Sequence, residues 1–144
     1  MTPSIVELPV IAAQTGALLI LLQAVLMITA GLHRAKGGIF LGINGDIELE
    51  RKVRRHGNLA ENAAIFTIVL ALAEMLGLSK TALGALAIAF VVARMFHALA
   101  FASTAGSHGT PAPGIFGPLR LLGAMGTFAT SVALGGYLAW AVFL

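Results

Sequence analysis

The sequence predicts an all-α integral membrane protein, a four-helix bundle, on three observations. Hydrophobic residues make up 58% of the chain and charged residues only 10%. The mean hydropathy of +0.95 exceeds what a domain with a water-facing surface sustains. Four long apolar runs follow one another, each close to the roughly 20 residues that a helix needs to cross a bilayer. The spans are taken as 8–31, 46–78 (of which Ala63 to Leu78 is the apolar part), 81–102 and 119–144, so a single domain over 1–144 leaves no room for a separate soluble unit. The chain has no cysteine, which excludes disulfides, thiolate metal sites and a cysteine nucleophile. Any thiol chemistry draws on a thiol from outside, and no metal site is expected. Nucleic-acid binding is not expected despite the net charge of +3, because six of the nine Lys and Arg residues (Arg34, Lys36, Arg51, Lys52, Arg54, Arg55) fall in one segment between the first apolar run and the apolar stretch that starts at Ala63.

The first run, 8–31, is read as a retained span rather than a cleaved signal, because no Lys or Arg precedes it and Glu7 stands at its mouth. Arg34 and Lys36 follow, then a Gly-rich stretch in which Asn44-Gly45 signals a turn. Asp46 is placed as a helix N-cap, with Glu48 and Glu50 in the first turn where the helix dipole favours acids. The second helix therefore starts outside the hydrocarbon and runs through Arg51, Arg54, Asn58 and Glu61 into the apolar stretch Ala63 to Leu78. Glu74 lies near its far end, within reach of the interface or of Lys80. Ser79-Lys80 is a short turn, and the third run carries Arg94 and His97 inside it. A Gly- and Pro-bearing loop, 103–118, leads to the fourth run, where Tyr137 and Trp140 suit an aromatic belt at an interface. Arg34, Lys36, Arg51, Lys52, Arg54, Arg55 and Arg120 fall on one side and only Lys80 on the other, so the positive-inside rule puts both termini on the non-cytoplasmic side.

At 100° per residue Arg51, Arg54, Asn58, Glu61 and Asn62 share one face of the second helix, with His56 opposite. A polar stripe thus descends into the membrane. Two readings stand: the arginines snorkel to lipid phosphates while Glu61 pairs with another helix, or the stripe binds a ligand. On the third helix Arg94, His97 and Phe101 share a face. An arginine at that depth costs about 2.5–3.5 kcal/mol on insertion scales, so Arg94 is expected to meet a carboxylate or a wet cavity, with Glu61 its obvious partner. A structural Arg94–Glu61 pair with no ligand is the alternative. Gly123, Thr127, Ser131 and Gly135 form a small-residue seam on the fourth helix, suited to close packing within one subunit or between subunits.

The run from Glu50 to Asn62, with Glu50-Arg51, Arg54, His56, Asn58 and Glu61, resembles the helix-two signature of the MAPEG family, the membrane-associated proteins of eicosanoid and glutathione metabolism. Arg94-x-x-His97 resembles the third-helix motif of its prostaglandin E synthase branch, and Pro118-Leu119-Arg120 looks like the start of helix four there. With the length and the order of four runs, the resemblance covers essentially the whole chain. It implies a homotrimer binding glutathione between protomers near the cytoplasmic end, in a bacterial-type member of the inner membrane. A charged helix-two face that is too polar to meet lipid agrees with such an assembly. Carried over by resemblance, Arg54 and Arg94 supply guanidinium forks, Glu61 an acid and Asn58 an amide. Arg51, His97 and Phe101 complete the binding set, together with Arg34 (or His33) at the end of helix one. Arg120 is the candidate catalytic residue, a positive group that stabilises the thiolate.

Two departures narrow the activity. Phe101 stands where the eicosanoid-forming members have tyrosine, and Leu121 where the prostaglandin-forming ones have serine. The 103–118 loop is also longer than theirs and lacks the arginine that they or their leukotriene-forming relatives carry before its proline. A prostaglandin or leukotriene synthase is therefore not expected. The first expectation is a glutathione transferase or peroxidase, using glutathione as cosubstrate on hydrophobic electrophiles or lipid hydroperoxides that arrive through the bilayer. The rival is a non-catalytic member that binds or presents a lipid, favoured by Phe101 and Leu121. A weaker third is a small transporter using Glu61, Arg94 and His97 as a polar path, marked by transport without thiol dependence.

Overall fold

The computed structural model describes residues 8–103 and 114–144; Glu7 and most of the second loop, 104–113, lie outside them. Four helices carry the chain: α1 (Val10–Gly37), α2 (Ile47–Met75), α3 (Lys80–Ala100) and α4 (Phe116–Phe143). Each is long and apolar enough to span a bilayer. Two bounds differ from the apolar runs. The α1 helix continues past Arg34 and Lys36, whose charges suit a helix C-terminus, and stops where Gly38 adopts a left-handed conformation. The α4 helix starts at Phe116, so Pro118 sits in its first turn, where the missing N–H costs no helical bond.

The helices form two hairpins, with α1 packed along α2 and α3 along α4, and with lighter contacts from α3 and α4 onto α2 and from α3 onto α1. Leucine and phenylalanine side chains fill the centre, including Leu19, Leu26, Leu59, Leu70, Leu83 and Leu134, and the Phe66 and Phe90 rings stack across α2 and α3. The outside is apolar as well, with Leu21, Ile68, Ile88 and Phe128 all exposed. Such a surface is stable in lipid and would be an aggregation hazard in water. The α3 and α4 backbones approach closely at Gly123, where an added Cβ would stand 2.6 Å from the His97 backbone nitrogen. Of the expected small-residue seam, Gly123 and Thr127 are buried within the subunit, while Ser131 and Gly135 face outward and Thr130 and Leu134 continue the contact instead.

The first loop follows its glycine and asparagine chemistry. Gly42, Asn44 and Gly45 all have positive φ, and Asp46 caps α2 by accepting from the Leu49 N–H at 2.9 Å. That hydrogen bond, joined by one from His33, holds the Asp46 carboxyl below its usual range. Its contribution to the cap is therefore full above the ordinary carboxyl pKa and lost as pH falls through the lowered value.

Glu74 departs from expectation. It turns inward rather than outward: it is 2% exposed, and its two carboxylate oxygens accept from the backbone N–H groups of Ile11 and Ala12, each at 3.0 Å. The reason is the start of α1, where Pro9 offers no side-chain cap and the N–H groups of Ile11 and Ala12 have no helical acceptor of their own. A carboxylate at the positive end of the helix dipole satisfies both. Glu74→Ala should therefore destabilise the protein by about 2–4 kcal/mol, two unpaired buried donors at about 1–3 kcal/mol each less partial relaxation. Glu74→Gln, with one acceptor oxygen, should fall between. Thermal unfolding in detergent tests the order, and an alanine variant as stable as wild type would show that the cap contributes nothing.

Candidate functional site

The polar stripe of α2 reaches the end of the bundle at which the first loop lies, and there it faces the last turns of α3 and the first turn of α4. Between them is a groove of about 560 Å³ lined by Glu50, Arg51, Arg54, Asn58, Glu61, His97, Phe101 and Arg120, with Ile47, Val53, Gly57 and Ala124 as its small and apolar wall. The spacing of the stripe explains the gathering: residues three and four apart on a helix share a face, so α2 turns one polar edge along the whole groove. Glu61 lies about 21 Å down the axis from the start of α2 at a 1.5 Å rise per residue, so the groove runs along about four turns of the helix.

Arg94 stands behind the groove, 2% exposed. Its Nη1 donates to the Thr127 hydroxyl at 3.1 Å and its Nη2 to Asn58 Oδ1 at 2.7 Å, with His97 Nδ1 3.5 Å away. The expected pairing with Glu61 does not form. Among the described residues no ion pair joins Arg94 to an acid, and Glu61 stays exposed on the groove wall. The physical reason is position: Asn58 is one turn nearer the loop than Glu61, and an amide oxygen with a hydroxyl satisfies two guanidinium nitrogens without a second buried charge. The positive charge of Arg94 is thereby left without a counter-charge beside the groove, and Asn58 is oriented with its carbonyl inward.

Arg51 adds a second buried cation. It is 9% exposed, lines the groove, and its Nε and Nη1 are enclosed with no protein acceptor. Buried donors are normally paired, so a guanidinium left this way on a groove wall suits an anionic ligand. Arg54 is mostly exposed and lies 3.5 Å from Glu50 one turn earlier. At the other wall, the Arg120 guanidinium stands over the Phe101 ring, 5.5 Å from its centroid, and Phe101 packs against His97 at 4.9 Å. Phe101 thus supports Arg120 through its π face.

Arg51, Arg54, Asn58, Glu61, His97, Phe101 and Arg120 come together as lining, and Arg94 comes to them as the inner brace. Arg34 does not join them within one subunit. Its Nη1 donates to the Gly42 carbonyl at 2.6 Å and lies 3.5 Å from that of Ile39, closing the first loop. His33 is likewise engaged with Asp46 and Lys52, and His56 is absent from the lining, as its place opposite the stripe predicts. Thr127 was not singled out as a polar partner. Its signal was its place in the small-residue seam one turn from Gly123, where a hydroxyl facing a buried arginine reads only as a small side chain.

These elements, four spanning helices, a Glu-Arg to Asn and Glu stripe on the second and an Arg-x-x-His pair on the third, have a counterpart among known proteins. The family model described as the MAPEG family matches residues 12–140, nearly the whole chain. Neither the curated proteins nor the solved structures contain a significant match. The chain is a multi-pass membrane protein that belongs to the MAPEG family.

Proposed function

We propose that this protein is a glutathione-dependent membrane enzyme of the transferase or peroxidase type, acting on hydrophobic electrophiles or lipid hydroperoxides. The observation that carries the reading is the groove itself: buried Arg51 with unpaired donors, Arg94 with no counter-acid, and Arg120 at the opposite wall, with the Glu61 carboxylate open on the groove wall. Glutathione has two carboxylates, an ammonium and a thiol. Arg51 and Arg54 match the carboxylates, Glu61 the ammonium, and the Asn58 amide nitrogen a backbone carbonyl. The thiol then falls to the Arg120 side, where a free thiol with a pKa of about 8.5 needs positive charge to ionise at neutral pH. Arg120, at the start of α4, adds its charge to the positive end of that helix's dipole. The thiolate sulfur attacks the electrophilic atom and the leaving group departs with the bonding electrons, while the thiol proton passes to water. Apolar surface on every outer helix face gives hydrophobic substrates a route through the bilayer.

Phe101 beneath Arg120 favours a second reading, a lipid-binding or lipid-presenting member without turnover. A phenyl ring positions the guanidinium but donates no hydrogen bond to a sulfur.

Both readings are placed in a homotrimer with the groove end toward the cytoplasm. The charged edge of α2, with Arg54 and Glu61 exposed, is costly against lipid and is covered by a neighbouring protomer, and the basic residues gather at that end. Native mass spectrometry in detergent should show the trimer; monomer alone, under conditions that preserve other membrane oligomers, would count against it.

Glu61→Gln should weaken glutathione binding by about 1.5–3 kcal/mol, the worth of a charged hydrogen bond, and Arg94→Leu should weaken it indirectly, by freeing Asn58 from its inward orientation and removing the positive charge behind the groove. Calorimetric titration with thermal melting alongside separates this from unfolding, and unchanged affinity in a folded variant would reassign that residue to structure. Arg120→Ala should bind glutathione within a few fold of wild type, yet lose both the ultraviolet thiolate band at neutral pH and conjugation of an aromatic electrophile. A wild type that binds glutathione without ever showing band or turnover would leave the lipid-binding reading.

A further inference from the structure

A second cavity, of about 620 Å³, opens on the opposite side of α2 from the groove, between the last turns of α1 and the first turns of α2. Its cations are Lys36, Lys52 and Arg55, with His33, the Thr29 hydroxyl and Leu32 beside them. One acid faces it: Glu48, 2.8 Å from Lys52 Nζ, which also meets His33 Nδ1 at 2.8 Å. Lys52 is thus compensated, whereas Lys36 and Arg55 have no carboxylate partner among the described residues. Arg55 reaches Thr29 Oγ1 with Nη2 at 3.2 Å, but its Nε is enclosed with no acceptor. Two uncompensated cations and an unsatisfied guanidinium nitrogen around one cavity call for a compact anion with several acceptor oxygens.

The cavity's surroundings identify the carrier of that anion. It lies where α1 leaves the apolar span, and from Leu32 an outward row of Ile28, Val25, Leu21 and Leu18 continues down α1, all exposed and within one face at 100° per residue. A charged seat above an uncovered apolar row matches an amphiphile standing upright in the bilayer, with its phosphate in the cavity and its acyl chain along α1. We infer that the α1/α2 cavity is a binding site for the phosphate headgroup of an anionic phospholipid, held by Lys36 and Arg55. The site is separate from the glutathione groove and does not depend on the enzyme reading.

The test uses the full chain, delipidated in a non-ionic detergent and titrated in separate arms with dioleoylphosphatidylglycerol, dioleoylphosphatidylcholine and sodium phosphate. Thermal melting and lipid adducts in native mass spectra are the readouts. Phosphatidylglycerol should raise the melting temperature and remain bound at concentrations where phosphatidylcholine does neither. Lys36→Gln should weaken it about fivefold, the equivalent of about 1 kcal/mol per basic residue near an anionic headgroup. Lys36→Gln with Arg55→Gln should abolish the preference, while Lys80→Gln at the far end of the bundle should leave it intact. Equal response to the two lipids, an equal shift with inorganic phosphate alone, or an unchanged preference in Lys36→Gln would each overturn the inference. Because Lys36 lies exposed at the helix end, its single variant stays folded and informative even if the Arg55 change does not.

Discussion

The guanidinium of Arg94 is the point at which three helices meet. It hangs from α3, donates to Asn58 on α2 and to Thr127 on α4, and lies beside His97 one turn along its own helix. An apolar solvent offers a charged group no alternative partners, so these contacts are the ones that make its burial tolerable. They also span the division between the hairpins, since α2 belongs to one and α3 and α4 to the other. The groove wall inherits its shape from this junction: Asn58 is turned inward by it, and His97 with Phe101 and Arg120 stacks outward from it. Gly123 lets α4 come close enough for Thr127 to reach, because any side chain there would collide with the His97 backbone.

The two polar cavities divide the basic residues of the chain by the face of α2 on which they fall. Arg51 and Arg54 turn to the α3/α4 side, Lys52 and Arg55 to the α1 side. At 100° per residue Arg54, Arg51, Arg55 and Lys52 stand in that order around the helix, about 60°, 40° and 60° apart, so the cations fan from the α3/α4 side to the α1 side. What reads in one dimension as a single basic cluster is two sites in three.

Features set by local spacing were legible in the sequence. The Asp46 cap and the Asn44-Gly45 turn depend on residues within about one helical turn of each other, the four spans and the α2 stripe on the pattern along a single helix, and each appears in the structure. The Arg94 pairing was not legible, because charge alone favours Glu61 and only the packed helices bring Asn58 and Thr127 nearer. Glu74 was misplaced for a similar reason: it is five residues from the Ser79 turn in sequence, yet its partners are 62 and 63 residues away on α1. Arg34 belongs to the same group, since left-handed glycines fold the first loop back until the Gly42 carbonyl meets it. Family resemblance supplied the composition of the groove, where spacing along α2 alone could not connect it to Arg120.

The long reach of Glu74 makes the first span depend on the second. The acceptor for the first-turn amides of α1 stands 62 and 63 residues further along the chain, so those amides are paired only when the last turn of α2 lies alongside. One carboxylate thus closes the beginning of the first span against the end of the second, and α1 is complete as a helix only as half of a hairpin.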